Sequence, residues 1–174
     1  IEESATDDEG NVHHYLSTKI PFLSPEKRPA LIGFSTEVTE LFLLKEEFKK
    51  LATVDPLTEL FNRRYFTEQA DKEFIRAKRY KLCMALISID IDHFKSINDN
   101  YGHPAGDKVL VAVSKQLQDS LRQTDILARI GGEEFSILLP ETTAESAIVF
   151  AERIRKKQAQ LIITGEWPGE ITLS

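Results

Sequence analysis

Residues 125–139 confine the chain more than any other stretch. Asp125-Ile126-Leu127-Ala128-Arg129-Ile130 reads as a strand with Ile126, Ala128 and Ile130 on one face, and Phe135-Ser136-Ile137-Leu138-Leu139 alternates again before Pro140. Two such runs around Gly131-Gly132 predict a β-hairpin, because glycine supplies the positive φ that tight hairpin turns use. The turn also carries Glu133 and Glu134 side by side. Adjacent carboxylates repel unless a cation or a bound proton relieves them, although a solvated hairpin tip tolerates them at little cost. The turn alone is compatible with either reading.

A chain of 174 residues can bury one full core and part of a second unit. Its net charge of -6 gives no support to a surface for a nucleic-acid polymer, which is normally basic. Local Lys and Arg can still hold nucleotide phosphates. The single cysteine, Cys83, lies in an apolar run and has no internal disulfide partner. It is read as a small buried hydrophobe, in keeping with a reducing cytoplasm. No apolar stretch approaches the ~20 residues of a membrane span, and the acidic start does not read as a signal peptide. A cytoplasmic location is expected for these domains. Membrane tethering of a longer parent is left open.

Near the N-terminus, Asp8-Glu9-Gly10-Asn11 signals a turn, followed by a strand over 12–20 that ends at Pro21. A second turn, Ser24-Pro25-Glu26-Lys27-Arg28-Pro29, leads to a strand over 30–36. Two strands alone are marginal in water, so this hairpin must pack on something else. From Leu41 the pattern changes: Leu41, Leu44, Phe48 and Leu51 follow 3-4-3 spacing among Lys and Glu, which predicts an amphipathic helix or a short coiled coil. Asp55-Pro56 ends it, since the residue before proline avoids the helical region.

The remainder alternates strands and helices. Residues 55–64 read as a turn into a helix striped by Phe66, Ala70, Phe74 and Ala77. Residues 81–91 read as a central, largely buried strand, with Ala85, Ile87, Ile89 and Ile91 on one face and Ser88, Asp90 and Asp92 on the other. Carboxylates at the end of such a strand need partners, and Mg²⁺ with substrate phosphates or a local backbone cap would each serve. Residues 93–107 are dense in polar and turn residues. Leu110, Val113, Leu117 and Leu121 then stripe a long helix. Thr142 and Glu145 have capping-box spacing before a helix lined by Ala147, Phe150, Ala151 and Ile154. Trp167-Pro168-Gly169 marks a turn before a last strand from Ile171. The expected class is α/β (α+β) with a central mixed, mainly antiparallel sheet.

Residues 55–174 resemble the bacterial diguanylate cyclase domain called GGDEF after its signature, which stands here in its Gly-Gly-Glu-Glu-Phe form. Asp55-Pro56-Leu57-Thr58, Asn62-Arg63-Arg64, Asp90-Ile91-Asp92-His93-Phe94-Lys95, Ile97-Asn98-Asp99, Gly102-His103 and Gly106-Asp107 stand in the family's order and spacing. Residues 1–40 resemble the C-terminal part of a PAS sensor domain, with Glu37-Val38-Thr39-Glu40 in place of its Asp-Ile-Thr-Glu-like end, and 41–54 would be a linker helix.

The cyclase resemblance implies a ferredoxin-like nucleotidyl cyclase palm that condenses two GTP to cyclic di-GMP and two pyrophosphates. It implies Asp90, Glu133 and the Ile91 carbonyl as ligands for Mg²⁺ (or Mn²⁺), with Glu134 as a further carboxylate at the metal and general base. Asn98 and Asp107 match guanine-binding positions, and His103 belongs to the same stretch. Leu57, Phe94 and Leu110 match apolar positions under the base, and Lys95 could assist the phosphates. Arg122 and Asp125 match an Arg-x-x-Asp site where product restrains the enzyme. One GTP per domain implies a homodimer. A non-catalytic cyclic di-GMP or GTP binding module of the same fold is the alternative. Family members continue past the last strand into a helix whose Lys and Arg grip the γ-phosphate. The 174-residue chain is therefore expected to turn over poorly and a version extended through that helix to be active. Comparable turnover by the two in a GTP assay would contradict this.

Overall fold

A computed structural model describes residues 2–25, 27–159 and 171–174. The turn expected at Trp167-Pro168-Gly169 lies outside the described residues. The chain divides into two units, 1–50 and 51–174.

The first unit is a three-stranded antiparallel sheet in the order β1-β2-β3, formed by β1 (Glu2–Thr6), β2 (Val12–Leu23) and β3 (Pro29–Glu37). The sequence reading missed β1, whose EESAT run has no apolar alternation. It also ended β2 at Pro21, whereas the strand continues and pairs Pro21 with Leu31. The β1 pairing stops at Leu16, so β2 is an edge strand beyond it and a missing N–H is tolerated there. Leu16, Ile20, Phe22, Ile32 and Phe34 share one face and remain exposed. Helix α1 (Thr39–Thr53) begins as the sheet ends, with His14 stacked on Phe42 at 3.7 Å between ring centroids. Its stripe of Leu41, Leu44, Phe48 and Leu51 is exposed along its whole length.

The second unit is built on a four-stranded sheet of order β4-β6-β7-β5, from β4 (Phe61–Asn62), β5 (Met84–Asp90), β6 (Ile126–Arg129) and β7 (Glu134–Pro140). Only the β4–β6 pairing is parallel, so the sheet is mixed and mainly antiparallel as expected. Leu173 bridges to Ile91, and Asp90 and Ser174 exchange backbone hydrogen bonds of 2.9 and 3.1 Å, so 172–174 continues the sheet beside the end of β5. With 172–174 counted as a strand, the order around β5 is that of a ferredoxin-like palm.

Helices α3 (Phe94–Tyr101), α4 (His103–Gln118) and α5 (Ala144–Gln158) cover one face of this sheet. Ile89, Leu127, Phe135 and Ile137 pack there against Phe94, Ile97, Leu110, Val113 and Ile154. Burying a side chain such as Phe135, 1% exposed, stabilises the fold by roughly 1.5–3 kcal/mol. On the other face, α2 (Arg63–Tyr80) sets Phe66 against Ala128 and Leu138, with Ile126 and Ile130 alongside, which is the face read from the hairpin's alternation. No helix among the described residues is long and apolar enough to cross a membrane.

Several details correct the sequence reading. β5 is the last of the four strands and has 172–174 beside its end only, and it is less buried than expected, with Leu86 59% exposed. Cys83 is exposed in the α2–β5 connection, one residue short of the ladder. Phe74 is exposed, whereas Phe66 and Ala70 of the same stripe pack on the sheet. Helix α3 was not foreseen, although Phe94 and Ile97 give it an apolar side. The cap of α5 is Thr143, which accepts from the Ser146 amide, while Thr142 donates to the Pro140 carbonyl. Neither Gly131 nor Gly132 adopts positive φ; the turn spans four residues and has no need of it.

One ion pair ties the start of this unit to the hairpin. Asp55 Oδ1 accepts from the Thr58 amide at 2.9 Å and the Thr58 hydroxyl at 2.7 Å, closing the turn that contains Pro56 and Leu57. The same oxygen accepts from Arg129 Nη1 at 3.1 Å, while Arg129 Nη2 and Nε donate to the Gly132 carbonyl at 2.7 and 3.2 Å. Burial pushes the Asp55 pKa up, but the Thr58 hydroxyl and amide and the Arg129 guanidinium outweigh it and leave the carboxyl below its ordinary 3.8. With the folded value below the unfolded one, this stabilisation is complete above pH 3.8 and is lost as pH falls through the folded value. The thermal midpoint of the wild type should therefore drop more steeply below about pH 4 than that of Asp55→Asn; equal acid slopes would contradict the assignment. Arg129→Ala should lower stability at neutral pH by about 1.5–3 kcal/mol in denaturant titrations.

Candidate active site

The site starts from the pairing of β5 with β7. Ile89 lies opposite Phe135, and Asp90 lies opposite Glu134. Directly opposed residues in an antiparallel ladder project from the same face. Ile89 and Phe135 point into the core, so Asp90 and Glu134 share the other face with Ser88 and Ser136. α2 leaves this part of the sheet uncovered. An open cleft of about 380 Å³ lies there, lined by Asp90, Glu134, Ser88, Ser136, Ile130 and Ser174. Like charges directly opposite in a ladder are destabilising. A cation between them turns repulsion into attraction.

Glu133 enters through its backbone: its carbonyl accepts from the Ile91 amide at 3.3 Å, which closes the turn onto the end of β5. The Glu134 carboxylate rests against Gly131, and a Cβ at that position would collide with it. This close approach, rather than a left-handed backbone, is what glycine permits there. Asp92 is occupied elsewhere: hydrogen bonds from the Thr172 and Ser174 side chains hold its carboxyl below the ordinary range. Among the described residues, no three His, Cys, Asp or Glu side chains gather to hold a metal ion. The donors that the register brings together are hard oxygens, the Asp90 and Glu134 carboxylates. That set suits a Mg²⁺ that shares its coordination with substrate phosphates.

The turn after β5 leads directly into α3. His93 occupies the N-cap position with φ of 59° and makes no side-chain cap. The first turn of α3 thus presents backbone N–H groups and the positive end of its dipole without a side chain over them, a setting suited to an anion. Ile91 O accepts from the Phe94 amide only at 3.4 Å, and Lys95 stands exposed in the same turn.

Helices α3 and α4 meet at Gly102, whose φ of 80° turns the chain between them. Asn98 of α3 lies against Gly106 of α4, so closely that a Cβ on Gly106 would overlap its amide and press on the Phe94 ring. Phe94 and Leu110 are in the core and Leu57 packs against it. Exposed Asp107 follows Gly106, and exposed His103 opens α4.

Arg122 and Asp125 lie apart from the carboxylate pair. Asp125 Oδ2 accepts from the Arg122 amide at 2.9 Å, and the Arg122 carbonyl accepts from the Asp125 amide at 3.1 Å, a closed turn before β6. Arg122 borders two clefts of about 330 and 370 Å³; the first includes Asp125 and the second Glu145, Phe150 and Arg153. Sequence reasoning missed the roles of Arg129 and Gly106. For Arg129 a signal was present, a charge within an otherwise apolar strand.

Residues 52–172 match the family model described as diguanylate cyclase, GGDEF domain. A diguanylate cyclase of Vibrio cholerae serotype O1 is 41% identical over 153 residues, covering 87% of this chain and 48% of that protein. The chain thus spans about half the length of this curated relative. Among solved structures, the coiled coil and GGDEF domain of DgcB from Caulobacter crescentus, in complex with cyclic di-GMP, is similar with a TM-score of 0.74 and 30% identity over 79% of this chain and 74% of that one. The active GGEEF domain of a diguanylate cyclase from Vibrio cholerae is similar with a TM-score of 0.58 and 42% identity over 64% and 71% of the two chains. With the palm fold and the carboxylates at the β5–β7 end, these matches establish that the chain belongs to the GGDEF diguanylate cyclase family.

Proposed function

We propose that residues 55–174 catalyse the Mg²⁺-dependent condensation of two GTP to cyclic di-GMP and two pyrophosphates, and that the observation carrying this reading is the register of Asp90 opposite Glu134. The names of the relatives support it. Asp90, Glu133, Glu134 and the Ile91 carbonyl would hold the metal. When bound, Mg²⁺ supplies charge neutralisation on the α-phosphate and acidifies the attacking hydroxyl. Glu134, exposed on the cleft, takes the proton of the ribose 3′-hydroxyl as general base. The 3′-oxygen bonds to the α-phosphorus of the other GTP, the bond to its β-phosphate oxygen breaks, and pyrophosphate leaves. The same step with roles exchanged closes the ring.

Asn98 and Asp107 bind the guanine edge. A carboxylate accepts from N1–H and the 2-amino group, and adenine offers no donor at either place. An unmatched partner costs roughly 1–3 kcal/mol, enough to favour GTP. His103 adjoins that edge, while Leu57, Phe94 and Leu110 form the apolar floor. The uncapped start of α3, with Lys95, receives the phosphates. Arg122 and Asp125 form a product site: the planar guanidinium pairs with phosphate or a guanine edge. Two domains meet across a two-fold axis, each with one GTP. Residues 1–40 are proposed as the end of a PAS-like sensor, supported by its antiparallel meander running into α1, and the exposed stripe of α1 as a dimer contact.

Incubation with GTP and Mg²⁺, of this chain and of a version extended beyond Ser174, should yield cyclic di-GMP by chromatography. Glu134→Gln should lower the rate by about 10²-fold or more. Saturable cyclic di-GMP binding without product would place the protein in the binding-module class. Gly106→Ala, by displacing Asn98, should raise KM for GTP with less effect on kcat; an unchanged KM would contradict the guanine assignment. Arg122→Ala should raise the cyclic di-GMP concentration needed for inhibition, and an unaltered inhibition curve would remove the product site.

A further inference from the structure

The first unit holds a histidine whose surroundings require a charge. His13 Nδ1 lies 2.6 Å from Glu37 Oε1, at the end of β3, and its Nε2 lies 3.1 Å from Asp7 Oδ2, in the β1–β2 turn. Neutral imidazole has one N–H, and ionised carboxylates only accept. Both contacts are hydrogen bonds only when the ring carries two protons. The other groups around His13 leave this balance intact. Ala5 lies opposite on β1, and the Tyr15 ring is 6.4 Å away along β2. From α1, the Thr39 hydroxyl donates to Glu37 at 2.9 Å. Glu3, farther along β1, pairs with Lys19 at 2.9 Å. Asp8 and Glu9, in the turn beside Asp7, are exposed.

The two arms are unequal. Asp7 also accepts from the Glu9 amide at 2.9 Å, the Asn11 amide at 2.8 Å and Asn11 Nδ2 at 3.0 Å, so it keeps other donors when the Nε2 contact is lost. The Glu37 contact is the shorter, so the last ring proton stays on Nδ1 and the Nε2 proton is the one lost. The Nε2 lone pair then faces a carboxylate, and that arm opens. We propose that His13 is a proton-operated clasp that links the β1–β2 turn to the end of β3, where α1 begins, and lets that turn go when Nε2 is deprotonated.

Hydrogen bonding to Glu37, then to Asp7, raises the His13 pKa above its ordinary 6.5. With the folded value above the unfolded one, the clasp is fully closed below pH 6.5 and is lost as pH rises through the folded value. Ring ¹⁵N NMR titration of the full chain tests this. The expected result is a midpoint above 6.5, a neutral ring protonated on Nδ1, and Thr6 and Asp7 amide exchange that quickens several-fold across that midpoint after correction for base catalysis. Glu37→Gln should move the midpoint down, and His13→Gln should abolish the pH dependence of exchange. A wild-type midpoint at or below 6.5, a neutral ring protonated on Nε2, or exchange indifferent to the midpoint would each overturn the proposal, whether or not the variants fold.

Discussion

The antiparallel register of β5 on β7 is the constraint from which the rest of the second unit follows. Ile89 opposite Phe135 and Ile87 opposite Ile137 are drawn inward by α3, α4 and α5. Strand alternation then leaves no freedom for the next pair, and Asp90 must face Glu134 on the outer side. A slip of one residue would turn the carboxylates into the core and the isoleucines to solvent. Apolar burial thus holds together two like charges that electrostatics alone would separate. That is a mechanical use of a hydrophobic core.

Shape at the site comes from places where a side chain is missing. Gly131 lets the Glu134 carboxylate lie against the turn, and Gly106 lets Asn98 lie between two helices. The turn itself is steadied by Arg129, which spans from Asp55 to the Gly132 carbonyl. The first residues after α1 and the signature loop therefore share one guanidinium.

The palm and its hairpin were legible because period-two alternation around a double glycine leaves few other structures, and Asp90 stood out as a charge ending an apolar run. Other features depended on distant pairings. Phe74 has the right helical spacing, yet it is exposed. Cys83 follows Leu82 in an apolar run, yet the ladder begins only at Met84. β1 carries no pattern and owes its existence to β2. The double glycine suggested a left-handed turn, when the requirement was room for a carboxylate. The pairing of Arg129 with Asp55, 74 positions away in sequence, is the kind of contact that periodicity cannot foresee.

The exposure of Cys83 has a practical consequence. It is the sole sulfhydryl in the 174 residues, and it sits one position before β5. Asp90 ends the same strand, about 23 Å farther along at ~3.3 Å per residue. Within these residues, air oxidation can join two chains only through Cys83, at the end of β5 remote from the cleft. A spectroscopic label attached there stands clear of the cleft itself.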